Sequence, residues 1–321
     1  MADLEAPDLT ALQDLRAHVQ TVYGERDTEA DKLLDLYRDR HLPIFPPGIK
    51  PHIVRLGLAA DIVDRIAMLF GRVPQLSVPV DTIDPKERER STKAEIGLDA
   101  ILTQAEREAG GHQWDRFRKD LHVPGWGCLL LLPNRREWSE ASGYPTDTEK
   151  PDLPARQTAY KRRARLPFTF RHVPARSVYP LYDSSGLCRL LIVEERTRYD
   201  VDHDPAFAEA TETASSGKNQ YEAVEVWTYL DRRWIVQATK DRLLGPALDH
   251  KLGCVPAIVA SGLVSAEADA DTRCGVSVLA GVAAQLKDLD GIATRMQSWM
   301  DLWAFASPIW KLGPGSRQRA V

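Results

Sequence analysis

Apolar residues recur every three or four positions through much of the first third of the chain, alternate or run together through the middle, and return to helical spacing near the end. Leu12, Leu15, Val19 and Val22 predict a first helix ending at Gly24, and Leu33, Leu34 and Tyr37 a second that stops before Pro43. Ile53, Leu56, Ala60, Val63, Ala67 and Phe70 form a third stripe closed by Gly71, after which QLSVPV alternates like a short strand. Asp84 before Pro85 reads as a cap and first-turn pair, opening a charged helix that runs to Gly110 and Gly111. The middle predicts strands. WGCLLLLP is an apolar run of strand length, RLPFTFRHV and SVYPLYD are short extended pieces, LLIVEERTRYD is a longer one, and TYLDRRWIVQ reads as a hairpin turning near Asp231. Residues 142–154 and 211–220 read as loops.

Near the end, Leu279, Val282, Leu286, Leu289, Ile292, Met296, Trp299 and Trp303 fall on one helical face, with Lys287, Asp290, Thr294, Ser298 and Asp301 opposite. Over 277–305 the predicted rod is about 43 Å long at about 1.5 Å per residue. An apolar stripe of that length must pack on something: either the earlier body or another copy of the chain.

Composition narrows the function classes. With 43% hydrophobic residues among 321, the chain can bury a core. A formal charge of −4 argues against gripping nucleic acid by overall basicity. The acidic start MADLEAPDL lacks an apolar core segment, and the longest uncharged apolar run, 128–132, is too short to cross a bilayer, so no export signal or membrane span is expected. Cys128, Cys188, Cys254 and Cys274 lack metal-site spacing and read as buried thiols.

Candidate chemistry is sparse. Asp200, Asp202 and Asp204 alternate as at the start of a calcium loop, but Pro205 stands at the sixth position and Thr211 at the twelfth, so the plain reading is an acidic turn that ends a strand. Tyr160, Lys161, Arg162, Arg163 and Arg165, followed by Phe168, Phe170, Arg171 and His172, mix basic and aromatic residues as a single-strand groove does, while the Pro-containing stretch upstream favours a solvated linker. No phosphate loop, metalloprotease helix or nucleophile elbow occurs, the histidines are scattered singly, and neither an enzymatic activity nor a cofactor or metal is expected.

Three stretches, in order and spread over most of the chain, carry a resemblance. LLDLYRDRHLPIFPPG leads into HIVRLGLAADIVDRIAMLFGRVPQL, with Ile62, Val63 and Asp64 running to Gly71 and Pro74; HVPARSVYPLYDSSGLCRLLIVEERTRYD follows; CGVSVLAGVAAQLKDLDGIATRMQSWMDLWAFASPIWKL closes, with Gly275, Ser277, Asp288 and Asp290. Together they resemble the portal proteins of tailed bacteriophages, the head-to-tail connectors through which DNA enters and leaves the capsid.

The resemblance implies an α+β fold. A mixed wing domain of helices and antiparallel strands (1–274) is followed by a long amphipathic stem helix (275–306) and the start of a clip (307–321), the chain stopping short of the family's second stem helix and crown. It further implies a structural ring, widely dodecameric, forming the channel for packaging and ejecting double-stranded DNA at the capsid vertex of the virion. Its partners would be other copies of the chain, the DNA, the large terminase subunit, the tail adaptor, and the major capsid and scaffolding proteins, with no membrane. Leu279, Val282, Leu286, Leu289, Met296, Trp299 and Trp303 would pack between copies, and Lys287, Asp290, Thr294, Ser298 and Asp301 would face the channel or the neighbouring stem helix, the aspartates repelling DNA. The competing readings are a metal-dependent phage nuclease or hydrolase built on the acidic turn, and a head-completion or scaffold-type protein whose last helix docks into a different partner.

Overall fold

The computed structural model describes residues 5–40, 53–69, 77–78, 84–108, 113–133, 152–163, 168–184, 186–203, 220–263 and 275–305. Among these are seven α-helices and two antiparallel sheets, a mixed α+β fold.

Helix α1 spans Leu9–Tyr37 as one rod. Asp8 caps it, accepting from the Ala11 N–H at 2.8 Å. The expected break at Gly24 does not occur. A mid-helix glycine costs only about 1 kcal/mol, and the buried stripe of Leu12, Val19 and Tyr23 resumes beyond it with Ala30, Leu33 and Leu36. The rod ends where Asp39 takes a left-handed φ of 52° and the Arg40 N–H reaches back to the Asp35 carbonyl.

The larger sheet is a meander of β3 (Val178–Asp183), β4 (Gly186–Thr197), β5 (Ala223–Asp231), β6 (Trp234–Thr239) and β7 (Leu248–Asp249). One face packs against the first half of α1, where Leu12, Val19 and Tyr23 meet Tyr179, Leu191, Trp227, Tyr229 and Val236. The other face, through Val178, Leu190, Ile192, Leu230 and Ile235, meets Cys128, Leu130 and Val173 of a three-stranded sheet ordered β2 (Phe168–Val173), β1 (Trp126–Pro133), β8 (Ala257–Ser261). Burial on both faces is why β4 reads as a continuous apolar run instead of alternating. The hairpin at Asp231 is as expected: its carboxylate accepts from the N–H groups of Arg233 and Trp234 and from the Tyr229 hydroxyl.

Edge strand β3 is closed by α1. The Tyr23 hydroxyl donates to the Pro180 carbonyl, Arg26 Nη2 donates to the Val178 carbonyl at 3.1 Å, and Pro180 has no N–H to offer. The Arg26 guanidinium lies 4.2 Å from the Tyr23 ring centre, 4.5 Å from Trp126 and 5.2 Å from Tyr179, and pairs with Asp27 at 2.7 Å.

Tyr179 gives the core a pH dependence. Burial, reinforced by Asp27 to which its hydroxyl donates at 3.0 Å, pushes its phenol up to about 12, against about 10 for an exposed tyrosine. Tyr229, buried beside Asp231, moves the same way. The folded state therefore keeps protons that the unfolded chain has already released, so this contribution is complete below pH of about 10 and is lost as pH rises toward about 12. Urea midpoints measured across that window should fall, and fall less steeply for Tyr179→Phe; equal slopes would refute the assignment.

The remaining helices are α2 (Leu58–Leu69), α3 (Pro85–Glu108), α4 (Gln113–His122), α5 (Leu153–Arg163), α6 (Arg198–His203) and α7 (Ala283–Phe305). Leu33 and Leu36 of α1, Ala59 and Val63 of α2, Val123 after α4, and Leu279 and Leu286 form a second core beneath α7. Helices α4 and α5 and strand β8 have no counterpart among the expected elements, and α5 occupies residues expected to be loop and linker. Phe70, Gly71 and most of the QLSVPV stretch lie outside the described residues. The thiols are not uniformly buried. Cys128 is, and burial pushes it up to about 12, but Cys188 is half-buried and Cys254 exposed, while Cys274 lies outside the described residues.

Candidate interface on the last helix

The segment that launches α7 is fixed by a crossing of three glycines. The Gly262 N–H donates to the Gly125 carbonyl at 2.8 Å, and Gly275 packs against that same carbonyl so closely that a Cβ there would sit 2.2 Å from the oxygen. Gly125 itself has φ +93°. Beyond the crossing, the Val276 N–H reaches the Leu263 carbonyl at 2.7 Å, and the Val278 N–H and the Ser277 hydroxyl both donate to the His122 carbonyl, at 3.0 and 3.1 Å. Ser277 Oγ also accepts from the Leu279 N–H at 3.0 Å. The Gly-x-Ser pattern singled out in the sequence is thus an anchor: glycine for close approach, serine for the turn.

The helix begins later than its periodicity predicts. Residues 278–282 wind as tight turns with Ala280 N–H to Ser277 O and Val282 N–H to Leu279 O, and regular helix starts at Ala283. Its 23 residues measure about 34 Å, not 43 Å.

Each of the two stripes of α7 is split between the inside and the outside of the chain's body. Asp290 is 5% exposed and Thr294 0%, both turned into the chain's own body. Asp290 Oδ1 accepts from the Leu56 N–H at 3.0 Å, while Thr294 Oγ1 accepts from the Val54 N–H at 3.0 Å and donates to the Val54 carbonyl at 3.1 Å. The reason is the neighbour. Segment 53–57, expected as the start of a helix, has no regular secondary structure, and its main-chain groups need partners where they are covered. A carboxylate and a hydroxyl supply them; leucine cannot. Asp290 and Thr294, expected to face the channel or the neighbouring stem helix, are instead turned into the chain's own body. Leu279 and Leu286, assigned to packing between copies, are likewise corrected: they lie in the core beneath the helix.

The other apolar positions point away from the body. Val282, Leu289 and Ile292 are exposed, Met296 is 60% exposed and Trp299 65%, and Met300 extends the patch. Leu289, Ile292, Met296 and Trp299 step by three, four and three residues, one continuous face. Lys287 is exposed, and the Ser298 hydroxyl is turned back onto the Thr294 carbonyl at 2.8 Å. The side chains of Asp301 and Trp303 lie outside the described residues, as do residues 306–321.

Elsewhere, the two halves of the first portal-like stretch meet: the Tyr37 hydroxyl of α1 donates to Asp64 Oδ1 of α2 at 3.1 Å, and Lys119 Nζ of α4 reaches both, at 3.1 and 2.9 Å. The Tyr37 hydroxyl foremost, with Asp64 beside it, holds the Lys119 ammonium above its usual range. This joint ties α4 to α1 and α2 beside α7.

The other candidate residues are not gathered into a site. Asp202 pairs with Arg242 at 2.8 Å and Asp200 accepts from Thr197 Oγ1 at 2.6 Å, on a short helix in place of the expected turn; Asp204 lies outside the described residues. Arg171 pairs with Glu194 and His172 with Asp120, the latter at 2.8 Å, and Phe170 is half-buried. Tyr160, Lys161, Arg162, Arg163 and Phe168 belong to α5 and β2 by their backbone, their side chains being outside the described residues with all of Arg165. Among the described residues no group of three acidic, histidine or cysteine side chains is arranged to hold a metal ion, and no helix is long and apolar enough to cross a membrane. No protein-family model matches the chain, and neither does any curated protein sequence.

Proposed function

We propose that the chain is a subunit of a portal-type ring, in which identical copies close around a channel for double-stranded DNA at the capsid vertex of a tailed phage. The observation that carries this reading is the exposed apolar face of α7, on a helix whose buried side chains include Asp290 and Thr294. A monomeric surface rarely leaves so many large apolar side chains in one row without a partner. Supporting it are the order and spacing of the three portal-like stretches, which include the Gly275–Ser277 anchor and the helix it launches.

In this reading the chain acts physically and not chemically. Copies meet along Leu289, Ile292, Met296 and Trp299, the closed ring satisfies every such face, and α7 serves as the stem. A net charge of −4 suits a wall past which DNA must slide, because each Lys or Arg that neutralised a phosphate would add retaining affinity. The terminase motor, the tail adaptor, and the capsid and scaffolding proteins follow as partners, at the virion vertex and in the host cell during assembly.

Electron microscopy and mass measurement of the purified chain test it. One large ring species with a central hole is expected. Met296→Asp with Trp299→Asp should leave folded single subunits. Losing two large buried side chains per contact is worth about 3–6 kcal/mol, about two to four orders of magnitude in association. A wild-type chain that stays single at high concentration would overturn the proposal.

A further inference from the structure

Asp290 and Thr294 are buried polar side chains on a helix face otherwise occupied by Ala283 and Leu286, and both bond to main chain 234 and 240 positions away. Their spacing fits what they touch. Four residues of helix rise about 6 Å, and the side chains at i and i+4 on α7 meet alternate residues, Leu56 and Val54, of segment 53–57. Thr294 supplies both an acceptor and a donor to Val54, standing in for a neighbouring strand.

This match holds in one orientation of the helix. Turning α7 by one residue, about 100°, would set Leu289 or Gly291 against Leu56 and Ala293 or Arg295 against Val54. None of these side chains carries a hydrogen-bond acceptor, so both N–H groups would lose their partners on α7. Apolar contacts alone would not separate these orientations, because α7 offers large apolar residues on its outer side as well. A lone buried polar residue fixes register between paired helices in the same way.

We propose that Asp290 and Thr294 are a rotational key: positioning residues that fix which side of α7 faces outward, and thereby the angle at which a second copy of this chain meets Leu289, Ile292, Met296 and Trp299. The second half rests on the ring reading above; the first does not.

Amide exchange followed by NMR, at a concentration where subunits are single, tests the key directly. Thr294→Val conserves shape and should speed exchange at Val54 by about tenfold or more, with Thr294→Ser restoring protection. Asp290→Leu should do the same at Leu56, whereas Asp290→Asn, which keeps an acceptor oxygen, should not. Throughout, amides of α7 from Leu286 to Trp299 should stay protected, separating loss of orientation from unfolding. Under assembly conditions, Thr294→Val with Asp290→Leu should give particles of mixed size in place of one species. Unchanged exchange at Val54 and Leu56 in the two apolar variants, or an unchanged single species from the double variant, would overturn the key. A wild-type chain that never associates while the exchange pattern holds would remove the ring reading and leave the key standing.

Discussion

Gly275→Ala should lower the unfolding midpoint of the chain by about 6–12 °C, from a loss of about 3 kcal/mol at about 2–4 °C per kcal/mol. The added Cβ would lie 2.2 Å from the Gly125 carbonyl oxygen, 2.8 Å from that of Leu263 and 2.9 Å from the Gly262 nitrogen, all main-chain atoms that cannot swing aside. Relieving the clash means separating three chain segments and giving up the hydrogen bonds that tie them. Gly262→Ala, with its Cβ 1.9 Å from the Leu121 carbonyl, should behave alike. Gly281, which has nothing within 4 Å of its Cβ position, is the control and should accept alanine within about 0.5 kcal/mol. Thermal unfolding of the three variants decides the matter: if Gly275→Ala melted with Gly281→Ala, the crossing would not be what anchors the helix.

Arg26→Met should cost about 2–4 kcal/mol, measured from urea midpoints. The methionine retains much of the packed stem but leaves Asp27 without its cation, the Val178 carbonyl without its donor, and the Tyr23, Trp126 and Tyr179 rings without the charge between them. The figure sits below that for a fully buried pair because Asp27 keeps some contact with water. Arg26→Lys should recover less than half. An ammonium cannot place one planar group among three rings while donating to two acceptors. Full recovery by lysine would show that charge alone, without the guanidinium geometry, holds α1 to both sheets.

What could be read from the sequence depended on how local its cause was. The capped starts at Asp84, the strand WGCLLLLP and the turn at Asp231 are fixed by neighbours within a few positions, and all three stand where expected. The amphipathic pattern of α7 was equally visible, but its inward face was not. That choice is made by the N–H groups of Val54 and Leu56, from the far end of the chain, and apolar periodicity does not report a demand for acceptors. Helix α4 was hidden by charge: in QWDRFRKDLH the buried residues include Arg118, whose guanidinium reaches the Ala67 carbonyl at 3.0 Å, so a polar letter stands at a core position. Strand β8 was hidden by brevity, since AIVAS gains its strand character from pairing with β1. Gly24 misled because the burial that carries α1 past it, at Ala30, Leu33 and Leu36, is against residues that follow later in the chain, among them Val63, Val123, Trp126 and Leu279.

The closure of β3 by α1 bears on how copies of this chain can gather at high local concentration. With Tyr23 and Arg26 already bonded to its outer carbonyls and a proline in its middle, that border offers an incoming strand no ladder to extend. Edge-to-edge extension of the sheet is thereby barred at this margin. Any contact between copies there would have to run through side chains.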